Sequence, residues 1–175
     1  MNPYTTTKES SDGRILLPLQ CDGVQYEKIK DLLTGEKLQS INFPNGQELS
    51  LTWFVRLNFA SGVVAEITSS STLAFENEEL GSINFGIVSS GKLQADLEDF
   101  EVKDFTVANV QILSFSIRNF TVDAGLVITS GKDEKMFLAA GEFPGSISVA
   151  APFISGSFAP QFPIGDYELR CFMVP

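Results

Sequence analysis

The chain has 175 residues, a hydrophobic fraction of 43% and a formal net charge of −10. That composition excludes a disordered chain and suits one domain with its own core over residues 1–175. Twelve basic residues stand against 22 acidic ones, with Lys28 and Lys30 the densest basic pair, so the chain lacks the footprint that phosphate contacts require and no nucleic-acid contact is expected.

The opening stretch "MNPYTTTKESSDG" reads as a polar N-terminal arm, residues 1–13, without the apolar centre of a signal peptide. It predicts synthesis in the cytoplasm, where Cys21 and Cys171 are expected to be unpaired thiols. "DGVQYEKIKDLLTG" then spaces Tyr26, Ile29, Leu32 and Leu33 at helical intervals. This predicts a single short helix at about residues 24–33, with Asp22 as N-cap and Gly35 as the stop.

From there the dominant period is two, the mark of half-buried strands. "LQSINF" and "ELSLTWFVRLNF" are expected to form a hairpin across "FPNGQ", in which Pro44 presets the turn and Gly46 accepts a left-handed backbone. Leu51, Trp53, Val55, Leu57 and Phe59 are predicted to share one face, with Phe54 breaking the alternation, and Trp53 reads as core. "ASG" at 60–62 is the next reversal. "TLAFE", "SINFGIV", "KLQADLEDF", "EVKDFTV" and "NVQILSFSI" follow as strands, with turns at "NEELG" and "SSG". After Ile117 the apolar phase jumps to Phe120 and Val122, which predicts a bulge or sharp bend near Arg118–Asn119. "SGKDEK" (Ser130–Lys135) is a polar hairpin tip, and "DYELRCFM" is the last strand. About ten to twelve strands at this spacing predict an all-β fold, an antiparallel β-sandwich of jelly-roll or Greek-key type. "LTWFVRLNFASGVVAEITSS" and "LSFSIRNFTVDAGLVITSG" also echo one another, as two hairpins built on one pattern would.

Histidine is absent, which removes the usual activated-nucleophile arrangements and the commonest metal ligand. No glycine-rich phosphate loop, nucleophile elbow or paired-cysteine motif is present. The acidic groups Glu76–Glu79 and Asp96–Asp104 read as a solvated turn and strand face. A carboxylate enzyme would have to use Asp96, Glu98 or Glu101. The chain is therefore not expected to be an enzyme, and no catalytic, cofactor-binding or metal-binding residues are assigned. "NFT" at 119–121 matches a glycosylation acceptor only by chance in an unexported chain.

The most unusual stretch is "FPGSISVAAPFISGSFAPQFPIG", Phe143–Gly165, which carries no charge over 23 residues. Pro144, Pro152, Pro160 and Pro163 exclude a transmembrane helix, since each interior proline costs roughly 3 kcal/mol. Only "GSISVAA" can pair as a strand. The rest is an extended apolar path that must be covered, either by its own sheet or by a neighbour. Phe153, Ile154, Phe158, Phe162 and Ile164 are its candidate interface residues. The leading expectation is a non-catalytic structural protein that forms homo-oligomers or joins other structural subunits. A virus or phage virion component (capsid coat, penton, decoration or tail-associated subunit) is its most concrete form. The alternative is a β-sandwich or barrel binding module for an apolar ligand or a glycan.

Overall fold

A computed structural model describes residues 7–75, 78–88 and 96–172. The chain is mostly strand. In order the elements are β1 Lys8–Glu9, β2 Ile15–Leu17, β3 Gln20–Asp22, a 3-10 turn Tyr26–Lys28, α1 Ile29–Leu33, β4 Lys37–Pro44, β5 Phe54–Phe59, β6 Val64–Phe75, β7 Glu78–Ile87, β8 Leu97–Ile117, β9 Phe120–Ser130, β10 Lys135–Ala140, β11 Ile147–Ala150 and β12 Tyr167–Arg170. The predicted helix is there but shorter. Ile29 and Leu33 bury its inner face and Gly35, at φ +87°, ends it. Asp22 does not cap it; its N-cap is Lys28, without a side-chain bond. Among the described residues no helix is long and apolar enough to cross a membrane.

The strands form one curled, half-barrel sheet in the order β1-β2-β9-β8-β4-β5-β6-β7-β3, with β10 and β11 continuing from β9 and β12 lying on β8. The antiparallel expectation needs correction. β2 runs parallel to β9 and β3 parallel to β7, so the sheet is mixed. Both parallel pairs come from the short segment 15–22, which returns to strands distant in sequence and so leaves no hairpin signature.

β8 makes the curl. "EVKDFTV" and "NVQILSFSI" are one 21-residue strand, whose first half pairs with β4 and second half with β9. Between Leu38/Phe105 and Ser40/Glu101, one residue of β4 opposes three of β8, and Asp104 takes φ +58° there. Such a bulge bends its strand and deepens the local twist. The main core lies inside the curl. Leu38, Ile41, Val55, Leu57, Ile67, Ile83, Phe85 and Phe105 meet Ile112, Leu126, Ile128 and Leu138 there. Gly125 sits where three strands crowd, and a Cβ there would stand 2.5 Å from the Leu138 carbonyl oxygen.

The phase jump after Ile117 is a complete reversal. Ile117 pairs with Phe120 across the two-residue turn Arg118–Asn119, with Arg118 at φ +52°. The Arg118 guanidinium lies 4.0 Å over the Phe75 ring. This turn also separates the two echoing stretches, because Arg56 is a buried mid-strand residue while Arg118 is a turn residue.

The charge-free segment closes the open side of the curl. Gln161 Oε1 accepts the Gly81 N–H of β7 at 2.7 Å, and its own N–H donates to the Ala140 carbonyl of β10 at 2.9 Å. The seam is too tight for a side chain at Gly81, where a Cβ would stand 2.7 Å from Ala140 Cβ. "GSISVAA" supplies β11, paired with β10. At the other end of the chain, the arm is a small hairpin from Lys8 onward, with Lys8 opposite Leu16.

Candidate functional site

The β4–β5 hairpin forms, but its second strand begins only at Phe54. Residues 45–53 become a loop pinned at several points. Asp96 Oδ1 accepts Asn45 Nδ2 at 3.3 Å, and Glu98 Oε1 accepts the Gly46 N–H at 3.0 Å. Gln47 Oε1 accepts both the Thr52 hydroxyl at 2.9 Å and the Trp53 N–H at 3.0 Å. Thr52 exchanges backbone hydrogen bonds with Ile147 of β11, and the Val149 N–H donates to the Leu49 carbonyl at 2.7 Å.

This pinning shifts the in-out phase by one residue before Phe54. Thr52 is buried, and Trp53 is 55% exposed, which corrects its reading as core. Phe143, 52% exposed, and Leu51 join it at the surface. With Gln47, Glu48, Ser50 and Ser146 they line an open cleft of about 550 Å³. This volume falls in the range of small-molecule clefts, and its lining mixes apolar and polar groups as such clefts do. The break in alternation at Phe54 was the signal in the sequence, since a phase slip there puts Trp53 on the outer side.

The acidic residues Asp96, Glu98 and Glu101 are exposed. Asp96 and Glu98 act together, but on the backbone and side chain of the Asn45–Gly46 turn. Glu101 stands opposite Ser40 on β8. Glu98 also borders a smaller cleft of about 230 Å³, with Phe43, Phe100 and Ile154. Among the described residues, no three acidic or cysteine groups gather as a metal site would require.

Four of the five candidate interface residues pack on their own chain. Phe153 meets Phe105 edge-on at 5.5 Å, and Ile154 borders the main core. Phe158 tilts against Phe137 at 6.0 Å, over the outer cluster of Leu113, Val127 and Ala139. Phe162 stacks on Phe115 at 3.8 Å. Ile164 is 46% exposed. Replacing Phe158 by serine should therefore cost about 1–3 kcal/mol of stability through lost burial, and so lower the melting temperature. Calorimetry showing an unchanged melting temperature would remove the intrachain role of Phe158.

Cys21 and Cys171 are both free thiols. Burial, with smaller contributions from the negative charges of Glu27 and Asp123, pushes the Cys21 thiol up to about 11. Its thiolate population at pH 8 is then about a hundredfold below that of a thiol at 9, the wrong direction for a nucleophile. Iodoacetamide at pH 8 should label the exposed Cys171 first and Cys21 at least about tenfold more slowly, as read by mass spectrometry of the peptides. Equal rates would place Cys21 in an open setting. No protein-family model matches this chain, and no curated protein or solved structure matches it either.

Proposed function

We propose that the chain is a non-catalytic structural subunit that associates with copies of itself or with other structural subunits. Its most concrete form is a virion component of a virus or phage, a coat, penton, decoration or tail-associated subunit of the kind built on jelly-roll and related sheets. The observation that supports this reading is the outer side of β12. Among the described residues β12 pairs with β8 alone, so its other backbone edge faces outward. Ile164, in the 3-10 turn that leads into β12, and Leu169, within it, are 46% and 44% exposed. A bare edge with apolar side chains beside it is a template for strand addition by another chain.

Light scattering at micromolar concentration tests the proposal. The expected mass is a multiple of the 19.1 kDa chain. A double variant, Ile164→Asp with Leu169→Lys, is expected to return the mass of one chain while keeping its melting temperature, because both side chains are exposed. A wild-type protein that stays at one chain mass throughout would reject assembly through this edge.

A second reading, a binding module for a glycan or an apolar ligand, is supported by the Trp53–Phe143 cleft. Its lining shares no residue with the β12 edge.

A further inference from the structure

We infer that the Trp53–Phe143 cleft is a saccharide site, in which the Trp53 ring stacks on the apolar face of a neutral pyranose while Gln47 and Glu48 hydrogen-bond its hydroxyls. The inference rests on the binding-module reading and names its ligand class.

Three observations carry it. First, Trp53 is exposed yet held. Its backbone N–H is fixed by Gln47 Oε1, and Thr52 beside it is locked to Ile147. An aromatic side chain on a pinned backbone loses less conformational freedom when a ligand arrives than one on a mobile loop. Neither Trp53 nor Phe143 pairs with another ring among the described residues, and at 55% and 52% exposure each presents about half of its surface to a ligand. Second, polar capacity is left over beside the rings. Gln47 uses Oε1 within the loop, and its Nε2 hydrogens have no partner among the described residues. Glu48 accepts the Ser50 hydroxyl on Oε2 at 3.2 Å, and its Oε1 has no partner among the described residues and can accept. An amide donor and a carboxylate acceptor on consecutive residues suit the mixed donor–acceptor hydroxyls of a sugar. Third, among the described residues the lining contains no lysine or arginine and does contain Glu48. A nucleotide could stack on Trp53, but its phosphates would face the Glu48 carboxylate with no cation among the described lining residues. A lipid chain would cover Glu48 and Gln47 without answering their hydrogen bonds. A neutral ring with one apolar face and a hydroxylated rim satisfies both halves of the cleft, and about 550 Å³ accommodates one or two such rings.

Trp53 is the sole tryptophan of the chain, so intrinsic fluorescence reads this site directly. The intact protein is titrated with neutral methyl pyranosides of the gluco, galacto, manno and N-acetylglucosamino series and with their disaccharides. A saturable emission shift is expected for at least one series. Phe143→Ala and Glu48→Ala, which keep the reporter, are each expected to weaken that response about tenfold with an unchanged melting temperature. Saturable binding of the neutral apolar dye N-phenyl-1-naphthylamine, with silence across the saccharides, would overturn the saccharide assignment and leave the binding reading standing. Silence towards both probes would overturn both. Trp53→Ala that disperses an oligomer, in a protein silent towards saccharides, would assign the cleft to a protein contact and reject the inference.

Discussion

Phe105→Ala is expected to destabilise the protein by about 3–5 kcal/mol, the usual cost of emptying a fully buried aromatic site. Phe105 has no exposed surface and follows Asp104, the left-handed residue of the β8 bulge. It pairs with Leu38 of β4, and Phe153 of the closing segment meets its ring edge-on. Three parts of the molecule therefore share this one side chain: the two halves of the curl and the segment that lies across them. The backbone around it is held by the bulge, so the cavity has little room to collapse and the upper part of the range applies. A domain of this size has a total stability of roughly 5–15 kcal/mol, so the variant should unfold at much lower denaturant. Urea titration followed by circular dichroism reads the change, with an unchanged slope as the mark of a pure stability effect. A loss below about 1 kcal/mol would mean that the curl does not depend on this junction.

Asp123→Ala is expected to remove about 2–4 kcal/mol. The Asp123 carboxylate is buried on β9, and its two oxygens serve opposite ends of the chain. Oδ2 accepts the Leu19 N–H at 3.0 Å, in the link between β2 and β3. Oδ1 accepts the Arg170 guanidinium at the end of β12. Alanine would strand the buried Leu19 N–H, which is the larger part of the effect. The ion pair contributes less, because Arg170 is partly exposed and solvent screens it. Asp123→Asn should fall between wild type and alanine, since its amide oxygen still accepts from Leu19. Hydrogen exchange separates the two contributions. The Leu19 amide should exchange faster in the alanine variant and stay close to wild type in the asparagine variant. Equal loss of stability in both variants would mean that the charge, and not the Leu19 bond, dominates.

Most of the strand content was legible in the sequence because its causes are local. A period of two marks the half-buried strands, as in Val55, Leu57 and Phe59, all buried. Gly46 at φ +75° and Gly62 at φ +89° stand at the turns that their neighbours announce. The hairpin at 130–135 closes with the Ser130 N–H donating to the Glu134 carbonyl. Alternation also found a phase change after Ile117, although periodicity alone does not distinguish a bend from a reversal. The predicted turn at Ser89–Gly91, and the parts of two strands at Leu93–Ala95 and Met173, lie outside the described residues.

The candidate site was less legible, and Trp53 shows why. Read alone, it continues the apolar face of Val55, Leu57 and Phe59. The loop bonds from Asp96, Glu98 and Ile147 turn it outward, and all three partners are distant in sequence. Phe143 meets Trp53 at the same cleft from the far side of six intervening strands in the chain, β5 to β10. No spacing rule connects them.

What the amino-acid sequence determined by itself is therefore the set of local states. These are strands where side chains alternate, turns where glycine relieves the backbone, one short helix, and an apolar proline-broken segment that could be neither a membrane helix nor a bare surface. The tertiary structure alone decided the partnerships: the parallel pairing of residues 15–22, the bending of one long strand into both halves of the sheet, and the outward rotation of Trp53. It also decided that Gln161 should bridge β7 and β10. The physical reason is that alternation and turn chemistry depend on neighbours along the chain, whereas pairing and covering depend on which distant surfaces meet.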